Sequence, residues 1–172
     1  MSTAASLITF AEFEQLPDVE GYKRELVNGE LVTMPPPELN HSELARRILS
    51  FLFDRFDRRR VWPDHTGYRI GGGWLEPDVS ISWPDQRRDA KYFVGSPMIA
   101  IEILSPGEDW AEKLDLYIAD GAKEVWIIDH QKKTMRVFVA EQDKVVLYRV
   151  TDAFRSESSG LTISLADIFS PS

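Results

Sequence analysis

The stretch "PMIAIEILSPGEDWAEKLDLYIADGAKEVWIID", residues 97–129, decides the fold. Met98 to Leu104 is an apolar run interrupted by a single acid, Glu102. The run has no polar alternation, so it reads as a strand covered on both faces. A helix follows in "PGEDWAEKLDLYIADG": Pro106 stands before it, Trp110, Leu114, Tyr117 and Ile118 form its apolar face, and Gly121 suits its C-terminal cap. "KEVWIID" is a second apolar strand. Strand, helix and strand in this order predict a right-handed parallel crossover. The acid inside the first strand needs a reason, because a buried carboxylate is costly unless something pairs with it. A lysine or arginine in a half-buried ion pair would serve, and so would a bound cation.

Upstream of this unit, "TFAEFEQL" predicts a short helix, with Thr9 and Glu12 at capping-box spacing. "YKRELVNGELVTM" predicts a hairpin turning at Asn28-Gly29, because both turn positions need positive φ. From about Asn40 to Arg59 the chain reads as a helix with Leu44, Ile48, Leu52 and Phe56 on one stripe. "GYRI" and "PDVSISW" read as strands joined by a turn through Gly71, Gly72 and Gly73. Downstream, "TMRVFVA" and "KVVLYRV" are strands, and "LTISLADIF" is a short strand with a helical turn. The fold class is α/β, a mixed central sheet flanked by helices with an N-terminal β-hairpin.

Composition narrows the function. The 172 residues suit one domain, and no apolar run approaches the roughly 20 residues of a membrane span. "MSTAASLITF" has no basic region ahead of its apolar residues, so no signal peptide is expected and a cytoplasmic location is. There are no cysteines, which removes disulfides and thiolate metal sites. The net charge of −8 repels nucleic acid on average. Its exceptions are the basic spots Arg46–Arg47, Arg58 to Trp62, and Arg87–Arg88, which read as solvated surface charge. Trp110 and Trp126 read as core. Trp62 and Trp74 lie near arginines and glycines, where base stacking and core or rim packing are both open. His65 and His130 sit in turn-like contexts and are expected to face solvent.

A second acid is placed as oddly as the first. "EPDVSI" puts Asp78 directly after Pro77 at the start of another apolar strand. Two carboxylates on adjacent strands of one sheet can share a cation, and hard oxygen ligands favour magnesium, manganese or calcium over zinc. Lys113, on the helix after Glu102, could bring an ammonium to the same place.

Taken in order, "YKRELVNGELVTMPPPELNHSELARRI", "EPDVSI", "IAIEILSP" and "KLDLYIADGAKEVWIID" resemble the Uma-type family of restriction-endonuclease-like proteins, placed in the PD-(D/E)XK nuclease superfamily. The resemblance runs from about Tyr22 to Asp129. It implies one restriction-endonuclease-like domain over residues 1–172: N-terminal helix and hairpin 8–35, catalytic core 38–150, C-terminal segment 151–172. It implies that Asp78 and Glu102 bind Mg2+ or Mn2+ together with the Ile103 backbone carbonyl. The superfamily lysine normally lies two residues after the second acid, where this chain has Leu104. The family is similar in carrying its lysine on the following helix, and Lys113 matches that position. His41, at the start of the long helix, and Glu25, in the strand before the Asn-Gly turn, also match the family's pattern. For His41 a local hydrogen bond at the helix start is the alternative, and for Glu25 an exposed pairing with Lys23 or Arg24.

The implied activity is metal-dependent hydrolysis of phosphodiester bonds in nucleic acid, with DNA as substrate and a homodimer that supplies one site per strand. The acidic charge and Leu104 also fit a non-catalytic binding or assembly module that keeps the fold. A hydrolase of a smaller phosphate ester would suit an acidic surface too.

Overall fold

The computed structural model describes residues 7–106 and 108–170, so the first six residues of the stretch read for a signal peptide lie outside it. In chain order the elements are α1 (Phe10–Phe13), β1 (Lys23–Val27), β2 (Glu30–Met34), α2 (Leu39–Arg55), β3 (Val61–Pro63), β4 (Tyr68–Ile70), β5 (Gly73–Leu75), β6 (Val79–Ile81) and β7 (Phe93–Val94). They continue with β8 (Ile99–Ile103), α3 (Ala111–Ala119), β9 (Glu124–Asp129), β10 (Thr134–Val139), β11 (Lys144–Arg149), β12 (Ala153–Arg155), β13 (Thr162–Ser164) and α4 (Leu165–Phe169).

The central sheet has the order β11-β10-β9-β8-β6-β3 and is mixed: β8 and β9 are parallel, and its other pairs antiparallel. All five residues of β8 and all six of β9 are buried, which is why neither strand alternates polar with apolar. The strands still obey the period of two that sends successive side chains to opposite faces. Ile99, Ile101, Ile103, Trp126 and Ile128 pack with Leu44, Ile48 and Leu52 of α2 and with Leu165 and Ile168 of α4. Ala100, Val125 and Ile127 pack on the other side with Leu114 and Tyr117 of α3 and with Tyr68, Ile70 and Leu75. Glu102 shares the face of Ala100, so it points toward α3.

A second sheet, β2-β1-β5-β4-β7, covers that same face. The N-terminal hairpin is therefore one edge of a five-stranded sheet. Its turn residues Asn28 and Gly29 have φ of 51° and 84°, as the sequence requires. The turn after "GYRI" is shorter than expected. It leads into β5, and Gly73 is a strand residue paired with Ile70, with its neighbour Trp74 opposite Leu26, while "PDVSISW" contributes only β6 to the other sheet. A Cβ on Gly73 would sit 2.4 Å from the Leu26 carbonyl oxygen, so glycine lets β5 lie against β1.

The long helix stops before the expected Arg59. Phe56 is extended, with φ −132° and ψ 169°, and Asp57 then caps a single turn at Arg58–Arg60 by accepting the Arg59 N–H at 3.1 Å. Asp57 thus competes with the helix for the backbone. Two of the tryptophans left open pack internally: Trp74 joins Phe10, Phe13 and Tyr92, and Trp62 lies edge-on to Phe93. No helix among the described residues is long and apolar enough to cross a membrane.

Candidate active site

The acids meet because of strand register. β6 and β8 are antiparallel, with Val79 opposite Ile101. One more step places Asp78 opposite Glu102, and facing side chains of an antiparallel pair stand about 5 Å apart at Cβ. Asp78 is tied into the sheet by its side chain: Oδ2 accepts the Ile103 N–H at 2.7 Å. Both acids are buried, at 6% and 3% exposure, and line a pocket of about 330 Å³ between the two sheets and α3.

His41 enters from the first turn of α2. Its Nε2 donates to the Ile103 carbonyl at 3.0 Å and lies 3.3 Å from Asp78 Oδ2. It therefore reaches across to the acids and makes no local helix-start bond. Burial alone would lower the His41 pKa, but the hydrogen bond and charge of Asp78 and the Ile103 carbonyl outweigh it and hold the pKa up. Burial pushes Asp78 upward in turn, and Lys23, His41 and the Ile103 N–H overcome that and keep it low.

Glu25 is fully buried, contrary to an exposed hairpin pairing. Its Oε1 accepts the Glu76 N–H at 2.9 Å, and its Oε2 lies 2.8 Å from Lys113 Nζ. Lys113, only 4% exposed, projects from α3 into this group. Its ammonium is 2.7 Å from Glu108 Oε1 and 4.0 Å from Glu102 Oε2. Burial would lower its pKa, but Glu102, Glu25 and Glu108 together raise it, so it stays charged. Among the described residues Glu102 keeps one direct donor, the Tyr117 hydroxyl at 2.8 Å. Burial lifts the Glu102 pKa to about 8 against the pull of Lys113 and Lys23, with Asp78 and Glu25 adding repulsion.

Two residues in this group were missed from sequence. Lys23 Nζ stands 3.9 Å from Asp78 Oδ1, 3.8 Å from Glu25 Oε1 and 3.4 Å from Asp64 Oδ1. Its signal was the strand period, since Lys23 and Glu25 share a face of β1. Tyr117 stands one helical turn beyond Lys113, on the same face of α3. Among the weaker candidates, His65 is exposed and His130 half-buried. Asp78, Glu102, the Ile103 carbonyl, Lys113, His41 and Glu25 are brought together.

The sequence matches the family profile Uma2, described as "Putative restriction endonuclease", over residues 10–169. No curated protein matches the chain. Among solved structures it is similar to a protein from Anabaena variabilis ATCC 29413 described as a "putative nuclease belonging to DUF820". The TM-score is 0.82 at 24% identity, covering 94% of this chain and 97% of that one. That likeness is one of fold.

Proposed function

Because the chain belongs to the Uma2 family, we propose that it is a metal-dependent endonuclease that hydrolyses phosphodiester bonds in DNA. The observation that carries this reading is the in-register pair Asp78 and Glu102, buried beside the Ile103 carbonyl in one pocket. Two carboxylates and a carbonyl are hard oxygen donors that fit Mg2+ or Mn2+. The fit has a second support. Glu102 is buried with one hydrogen-bond donor and a lysine 4.0 Å away, a deficit of positive charge that a divalent ion would meet.

When bound, such an ion lowers the pKa of a water and neutralises charge on the scissile phosphate. The protein's own groups divide the remaining work. Asp78 is held by the Ile103 N–H and His41, so its free oxygen is fixed in direction. Tyr117 orients Glu102 in the same way. Lys113, anchored by Glu25 and Glu108, presents a permanent positive charge to the pocket, which steadies the attacking water and the added charge on the phosphate. It takes the part of the lysine replaced by Leu104. Cutting both strands of a duplex calls for two such sites, hence a homodimer.

One observation favours a second reading. Asp64, Asp78, Glu102 and Glu108 line the pocket with only Lys23 and Lys113 as lysines, a balance better suited to a smaller phosphate ester than to a polyanion. Incubation with plasmid DNA and with a small phosphodiester, each with and without Mn2+, separates the readings. We expect Mn2+-dependent nicking by the wild type and none by Asp78→Asn. Hydrolysis of the small ester alone would move the assignment to the second reading, and inertness toward both would leave a binding module.

A further inference from the structure

The rim of the same pocket carries a second set of ligating side chains. Asp64 and His65 follow β3, and Glu76 stands between β5 and β6. Among the described residues these three form the one set of His, Cys, Asp or Glu side chains whose ligand atoms, one from each, all lie within 4.8 Å of one another.

What surrounds the set argues that it is built. Each carboxylate has one oxygen pinned by a donor outside the three side chains. Glu76 Oε1 accepts from Trp74 Nε1 at 2.9 Å. Asp64 Oδ1 accepts the His65 backbone N–H at 2.8 Å and faces Lys23 Nζ at 3.4 Å. The remaining oxygens turn to the imidazole: Glu76 Oε2 is 3.6 Å from Nδ1, and Asp64 Oδ2 is 3.7 Å from Nε2. These distances are too long for hydrogen bonds. The two contacts are to different ring nitrogens, so one ion takes only one of them, and a turn of the exposed imidazole brings it to both carboxylates. One ligand atom from each residue already lies within 4.8 Å of the others, against about 3.4 Å between two ligands of a tetrahedral ion with bonds near 2.1 Å. Outer donors that fix one oxygen and leave the other free are the usual support of metal-binding carboxylates.

We propose that Asp64, His65 and Glu76 bind a divalent transition-metal ion through one ring nitrogen and two carboxylate oxygens. Zinc fits this donor set best, and three protein ligands leave a fourth position open to water or an anion. Asp64 and His65 also line the pocket that holds Asp78 and Glu102. An ion there adds positive charge at the mouth of an acid-rich pocket, where an anionic ligand must enter. The site stands whether or not the chain is a nuclease.

The test is calorimetric titration of the full chain with Zn2+, with excess Mg2+ present to occupy the harder oxygen site. The wild type should bind one zinc. His65→Asn and Glu76→Gln should bind it at least tenfold more weakly, and Asp78→Asn within twofold of the wild type. Asparagine suits position 65 because His65 has φ of 64°, a region asparagine tolerates. Glutamine at 76 keeps an acceptor for Trp74, so either variant can fold if the other does not. Co2+ in place of zinc should give a visible absorption band that His65→Asn removes. No zinc uptake by the wild type, or undiminished affinity in both rim variants with loss in Asp78→Asn, overturns the proposal.

Discussion

Glu102 and Glu124 are two buried glutamates on neighbouring parallel strands, 3% and 0% exposed, and they face opposite sides of one sheet. Their surroundings differ in kind. Glu124 is saturated by neutral donors: Trp126 Nε1 at 2.9 Å on one oxygen, and the Ser156 hydroxyl at 3.1 Å and the Ser158 N–H at 2.9 Å on the other. Glu102 has one hydroxyl donor, and its nearest cation is 4.0 Å off. Burial then drives the Glu102 pKa to about 8. Depth within the sheet does not distinguish the two acids. Completeness of their partners does. Glu124 fastens the segment after β12 to the sheet, whereas Glu102 faces a pocket with capacity for a cation left over.

The comparison can be broken most severely through activity. Glu102→Gln should lose metal-dependent cleavage by on the order of 10³-fold, while Glu124→Gln, if folded, should cut at a rate close to the wild type. Equal losses measured by single-turnover plasmid nicking would mean that both acids act only through the fold.

Stability should reverse the ranking. Glu124→Ala strands the Trp126 indole N–H and the Ser158 N–H, at a cost of roughly 2–4 kcal/mol, seen as a drop of about 5–15 °C in Tm. Metal-free Glu102→Gln should melt no lower than the wild type, because it removes a carboxyl that the fold buries only at the cost of taking up a proton. Thermal melts in chelator, then in Mn2+, should show the wild type rising with metal and the variant not.

The smallest effect is the most specific. A carboxyl whose folded pKa lies near 8, above its usual value, contributes stability in full below that usual value and loses it as pH rises to about 8. The Tm difference between Glu102→Gln and the metal-free wild type should therefore widen from pH 5 to pH 8 and then level off. Mn2+ should flatten the trend. A flat difference without metal would show that Glu102 is already ionised across this range.

Much of this arrangement was legible in sequence, and particular residues show why. Local signals carried the Asn28-Gly29 turn, the Thr9 cap and the crossover from Ile99 to Asp129, since each depends on neighbours a few positions away. The acid inside "IAIEI" was conspicuous because nothing local could pay its burial cost. What escaped depended on distant chain. β5 and β7 are two or three residues long, too short for a period to register. The helix end at Phe56 turned on a competing cap at Asp57. Lys23 looked like an ordinary hairpin charge until β1 was laid against β5 and brought toward Asp78. The depth of Glu25 was invisible for the same reason, because the second sheet that buries it is assembled from segments far apart in sequence.

The bond from the Ile103 N–H to Asp78 has a further consequence for how related sequences are read. That contact closes the sheet where the backbone ladder between β6 and β8 ends, and it needs only an acceptor oxygen. A relative with no catalytic role would still gain from an aspartate here as a splice between strands. The dipeptide Pro77-Asp78 thus serves the architecture whether or not it serves a reaction, and in a relative it marks the fold. Fitness for the reaction is better judged from the company Glu102 keeps.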